Sequence, residues 1–190
     1  MPSTTRNAAL RAAAILAMLG MPLAAGAQQR LETVRVSANE TAARAGALHA
    51  RAMVAGSDLR TLGKAARLHE SSAELRDATD PQAFECLREA ALLRYYSGNR
   101  SSAVGLMERA ARLAVDRGDV INASRSFSDA AVIAHEMRQG ARAWNLGLRA
   151  EALTASPLLT EPQRSNLRLR NVRLDRTTTG LAVNAAVGTP

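Results

Sequence analysis

Among 190 residues there are one cysteine, one lysine and five aromatic side chains. A single cysteine, Cys86, excludes an intrachain disulfide framework and a cysteine-built metal cage. So few aromatics leave no base-stacking platform, and no nucleic-acid partner is expected. The chain has no phosphate-cradling glycine loop, dinucleotide fingerprint or Gly-x-Ser-x-Gly elbow. His69-Glu70 opens a metal-binding helix box, but the position that would complete it is Ala73. His49 and His135 also lack a His or Cys at ligand spacing. Cys86 lies on an apolar helix face without a local base, so it reads as a packing residue. No catalytic site, metal or cofactor is therefore expected, and the chain does not read as an enzyme.

What is abundant is alanine, the commonest residue, and arginine, which supplies all but one of the 25 basic side chains against 17 acids. Alanine in such quantity favours closely packed helices over sheet. The arginine skew is what GC-rich bacterial coding produces. Positions 1–27 have the layout of a signal peptide. Arg6 and Arg11 stand without an acid, an apolar run extends from Ala12 to about Ala24, and Ala25-Gly26-Ala27 supplies small residues at a cleavage site. The run contains Pro22 and is too short to cross about 30 Å of hydrocarbon. Cleavage after Ala27 would remove two arginines and no acid, leaving a net charge two below the +8 of the whole chain. The expected location is the periplasm or the exterior, where a basic protein meets anionic lipid, lipopolysaccharide or acidic partners.

Residues 28–37 read as an extended leader, because Val34 and Val36 alternate with Thr33 and Arg35. The stretch Glu32–Ala38 resembles the short box by which outer-membrane receptors contact an energy-transducing periplasmic protein, which would act by strand addition. From Ala38 the pattern becomes helical: Ala42, Ala45, Leu48, Ala52 and Met53 form a stripe that Gly56 stops. Ser57-Asp58 caps a second helix, carrying Leu59, Leu62, Ala66 and Ala73, to about Arg76. Asp80-Pro81 is the strongest start signal, since Asp accepts from free first-turn amides and Pro has no amide to leave unpaired. That helix runs to Tyr96 and ends at Gly98. The next spans about Arg100–Arg117 before Gly118, and Asp119 caps another lasting to Gln139-Gly140. Its successor reaches about Thr154, and Pro157 breaks the chain. Thr160 with Gln163 makes a capping-box start for a last helix through about Asp175. Uncharged residues 177–190 read as a disordered tail.

Sliding the sequence along itself until Ala83 falls on Ala123 overlays two helical pairs without a gap. Leu87 then falls on Phe127, Glu89 on Asp129, and Ala90-Ala91 on Ala130-Ala131. Ala103, Leu106, Arg109, Ala110 and Leu113 fall on Ala143, Leu146, Arg149, Ala150 and Leu153. A third copy lies upstream, where Lys64-Ala-Ala-Arg-Leu68 echoes Arg109-Ala-Ala-Arg-Leu113 and Ala45-Gly46 echoes Ala90-Ala91. A helix pair alone cannot bury its apolar face, so such pairs must stack. The expected fold is all-α: an α–α superhelix (solenoid) of about three hairpins plus a C-terminal capping helix, over residues 38–176.

The spacing of Leu87, Ala91, Ala103 and Ala110, repeated in Phe127, Ala131, Ala143 and Ala150, resembles the tetratricopeptide family over residues 81–154. The chain departs from it at Arg94 and Ala134, where an aromatic is usual, at Gly147, and in its longer period. A hairpin repeat of the HEAT kind is the alternative. The resemblance implies a concave groove lined by first-helix residues: Glu85, Arg88, Leu92, Tyr95 and the adjacent Tyr96, then Arg125, Ser128, Val132, His135 and Glu136. Tyrosine and arginine suit a recognition surface, although both tyrosines could instead seal the joint before Gly98. The last helix carries Arg164, Arg168, Arg170, Arg173 and Arg176 beside Leu167, Val172 and Leu174. It reads as a cap with solvated arginines, or as a strip for an anionic membrane or acidic partner. The expected function is an exported, non-catalytic module that binds a peptide or protein segment of the cell envelope in that groove. The alternative is a peripheral envelope protein that contacts lipid or lipopolysaccharide through its basic helix.

Overall fold

A computed structural model describes residues 4–54 and 58–171, with side chains from residue 28 onward. The chain is all-α, with no strand among the described residues. The helices are α1 (Thr4–Val54), α2 (Leu59–Glu74), α3 (Pro81–Tyr96), α4 (Arg100–Asp116), α5 (Val120–Glu136), α6 (Gly140–Thr154) and α7 (161–171). From α1 to α6 each helix packs on its neighbours in sequence. Three hairpins thus stack as an α–α superhelix, and α7 covers the last of them through contacts to α5 and α6.

Residues 28–37 are helical, part of α1, so neither the extended leader nor a helix start at Ala38 holds. Two alternating valines are a weak strand signal, and no glycine or proline interrupts the sequence from Gln28 to Ala45. Downstream, Ala38, Ala45 and Ala52 recur at heptad spacing on the buried face of the same helix. Residues 28–37 are exposed, and so is Met53, which the helical stripe had included. On α2, Leu62, Ala66 and Ala73 are buried, while Leu59 is exposed. The tail 177–190 lies outside the described residues, as do Gly56 and Ser57.

Caps fix the helix starts where the sequence places them. Asp58, Asp80, Asn99 and Asp119 each accept a hydrogen bond from a first-turn amide, that of Arg60, Gln82, Ser102 and Asn122 respectively. At Thr160 the backbone N–H donates to Gln163 Oε1 at 2.9 Å, one half of a capping box. The ends of α3, α4 and α5 share one turn in which a left-handed residue follows the last helical turn: Gly98, Gly118 and Arg138. The stop after α5 is thus Arg138, and Gly140 begins α6 instead of ending α5.

The core follows the repeat. Ala83, Ala90, Ala91, Ala103 and Ala110 and their counterparts Ala123, Ala130, Ala131, Ala143 and Ala150 are all buried, as are Leu87, Phe127, Leu106 and Leu146. Methyl side chains at the helix contacts let backbones approach closely, and the larger residues fill the space between hairpins. Polar ties then link alternate helices. Glu74 pairs with Arg109 and Glu108 with Arg142, joining α2, α4 and α6. The Tyr95 hydroxyl donates to Glu136, and Arg170 pairs with Asp129, joining α3, α5 and α7. The odd-numbered helices therefore form one row and the even-numbered helices the other.

At the first junction Arg76, with only 2% of its side chain exposed, pairs with Asp80 at 2.8 Å and donates to Asn39 at 2.6 Å. Burial pushes the Asp80 carboxyl up, but the Arg76 hydrogen bond, the Gln82 amide and the Arg76 charge outweigh it and hold its pKa below the usual value.

Candidate functional site

The exposed face of α3 is set by what its other faces bury. Ala83, Phe84, Cys86, Leu87, Ala90, Ala91 and Leu93 turn inward, which leaves Glu85, Arg88, Leu92 and Tyr95 along the outer side at steps of three and four. On α5 the same register gives Arg125, Ser128, Val132 and His135. Because α3 and α5 each open a hairpin, their outer faces lie in one row.

Glu85 and Arg88 are exposed and 3.7 Å apart, an i,i+3 pair that solvent screens. Leu92 is half-buried. At the end of the row Tyr95 Oη donates to both carboxylate oxygens of Glu136, at 3.0 and 3.2 Å. That hydrogen bond, then burial and the Glu136 charge, raise the Tyr95 pKa above its usual value, so the phenol stays a donor. Arg100 lies 5.7 Å from the Tyr95 ring centroid and 3.7 Å from Glu136, while Tyr96 meets Tyr95 edge to face at 5.5 Å. Tyr95 thus ties α3 to α5, and Tyr96 stands exposed beside it.

On α5, Arg125 and Val132 are exposed and His135 is half-buried. Ser128 is not available: it is 1% exposed, and its hydroxyl donates to Asn171 Oδ1 at 2.6 Å. The capping helix itself occupies that position, with Asn171 also donating to Glu151 at 3.1 Å. Nearer the start of both helices, α5 and α7 leave an open cleft of about 250 Å³ lined by Ile121, Arg125, Pro162, Gln163, Asn166 and Leu167.

Two arginines of α7 are engaged within the protein. Arg164 pairs with Glu161 at 3.1 Å and donates to the carbonyls of Ser156 and Leu159, which closes the α6–α7 connection. Arg170 binds Asp129. Arg168 remains exposed beside Leu169. Arg173 and Arg176 lie outside the described residues.

Cys86 is buried, its sulfur 3.5 Å from Ser72 Oγ. Among the described residues no three His, Cys, Asp or Glu side chains gather as metal ligands, and no helix is long and apolar enough to cross a membrane. Sequence reasoning missed Arg100, which sits across one turn from Tyr95 and which only the stacking brings near Glu136 on α5. It also missed Trp144, which stands exposed with Leu148 on α6. No family model matches the chain, and no curated protein or solved structure matches it significantly.

Proposed function

We propose that the protein is an exported, non-catalytic interaction module of the tetratricopeptide-like kind that holds a peptide or protein segment in the concave groove of the α-solenoid, along the row formed by α3 and α5. The observation that carries this reading is the solvent-facing row itself: Glu85, Arg88, Leu92 and Tyr96 on α3, continued by Arg125 and Val132 on α5. Charged, aliphatic and aromatic groups alternate there on two adjacent helices held rigid by a continuous core. A surface of this kind binds a segment by anchoring a few side chains and excluding water around them. Export rests on the basic start, the apolar run and Ala25-Gly26-Ala27. The basic-helix alternative is less favoured, because Arg164 and Arg170 already have acidic partners in the fold.

The test is site-specific photocrosslinking in cells that make the full-length chain. A crosslinker at Leu92 is expected to trap an envelope protein that the same group at Trp144, on the other helix row, does not. Charge reversal at both Arg88 and Arg125 should remove the adduct. Equal adducts from both positions, or none from Leu92, would overturn the reading.

A further inference from the structure

We propose that the cleft between α5 and α7 is a seat for a carboxylate carried on a short aliphatic body. This deepens the groove reading by giving its α5 end a chemistry, and depends on that reading only where the carboxylate belongs to a peptide. Three features converge. The first is charge. Arg125 is the only charged residue of the six that line the cleft, and among the described residues no carboxylate lies within ion-pair distance of it. Asp129, one turn on along α5, is committed to Arg170, and Glu161, next to Pro162 on α7, is committed to Arg164. An exposed guanidinium with no acidic partner offers a planar fork that fits a carboxylate with two parallel hydrogen bonds.

The second is the rest of the lining. Gln163 and Asn166 bring side-chain amides from α7, and the Gln163 oxygen is already used by the Thr160 amide, which leaves its NH₂ to donate. Ile121, Pro162 and Leu167 form an apolar wall. A bare inorganic anion would leave that wall wet, and a neutral alkyl group would leave the arginine unused. The third is size. At 250 Å³ the cleft falls below the roughly 300 Å³ at which drug-sized ligands begin to fit, so it admits one side chain or a short acid.

The carboxylate can come from an acidic residue beside an aliphatic one in a bound segment, or from a free short-chain acid. Backbone amide NMR titration of the purified protein separates the two sources with four probes. These are hexanoate, hexanamide, and the dipeptides Glu-Leu and Gln-Leu blocked at both ends. At least one of hexanoate and blocked Glu-Leu is expected to shift the amides of Arg125, Gln163 and Asn166, and the two neutral probes are not. Arg125→Gln, a change at an exposed position, should weaken that binding at least ten-fold, and Asn166→Ala should weaken it less. Response to Glu-Leu alone assigns the seat to a peptide, and response to hexanoate alone to a free acid. No response to either acid, equal response to the neutral probes, or indifference to Arg125→Gln would overturn the proposal. Crosslinking at Leu92 would still stand or fall by itself.

Discussion

Gly98, Gly118 and Arg138 occupy the same place in three successive turns, with φ of 84°, 71° and 60°. The backbone bonds are equivalent too: the N–H groups of Asn99, Asp119 and Gln139 reach back to the carbonyls of Arg94, Ala114 and Ala134 at 2.8, 2.8 and 3.0 Å. An arginine in this conformation costs about 1 kcal/mol relative to glycine, because its Cβ crowds the backbone. Arg138→Gly is therefore expected to raise stability by about 1 kcal/mol, read as a shift of the urea midpoint without a change in slope. Sequence alone locates the first two turns, since glycine announces a left-handed residue. It misplaces the third, because arginine gives no such signal and Gly140 gives a false one. A second residue-scale expectation concerns His69, which is buried with Nδ1 unpaired. Burial holds its pKa below the usual 6.5, with Glu89 on α3 raising it and His49 on α1 lowering it further. The unfolded chain thus takes up the proton first as pH falls. This contribution to stability is whole above about pH 6.5 and declines below it. Thermal melts at pH 7.5 and 5.5 should show a loss that His69→Leu reduces.

Helices meet here through methyl groups, and that contact has little room for anything larger. Ala131 is almost wholly buried in the continuous core. Ala131→Leu should cost about 1–3 kcal/mol by overpacking, measurable by urea unfolding. The same change at exposed Ala141 should cost little. Helix existence and most starts are legible because Asp80-Pro81, Asn99 and Asp119 carry their own capping chemistry. The fate of residues 28–37 is not, since a two-residue alternation competes there with helix propagation from both sides. Nor is the burial of Ser128, which a distant helix, α7, decides. Removing that contact with Arg170→Ala and Asn171→Ala should speed amide exchange in α5 and α6 more than in α3, read by hydrogen–deuterium exchange mass spectrometry.

At the scale of the whole molecule, the overlay of Ala83 on Ala123 reveals the stacked hairpins because Leu, Arg and acidic positions match along with the alanines. The row of candidate contacts is legible to the same degree, because the helical register that sends Ala90 and Ala91 inward sends Arg88 and Leu92 outward. Its limits are not legible: the Tyr95–Glu136 bridge at one end and the α7 cleft at the other join residues far apart in sequence. Neighbour-on-neighbour packing has one more consequence. A load applied to the two ends of such a stack passes through every joint and the weakest yields first, so the molecule should behave as a series of yielding links. Stretched in an optical trap, it should lengthen in discrete steps of roughly 13 nm, the extended length of one repeat, instead of giving way at once.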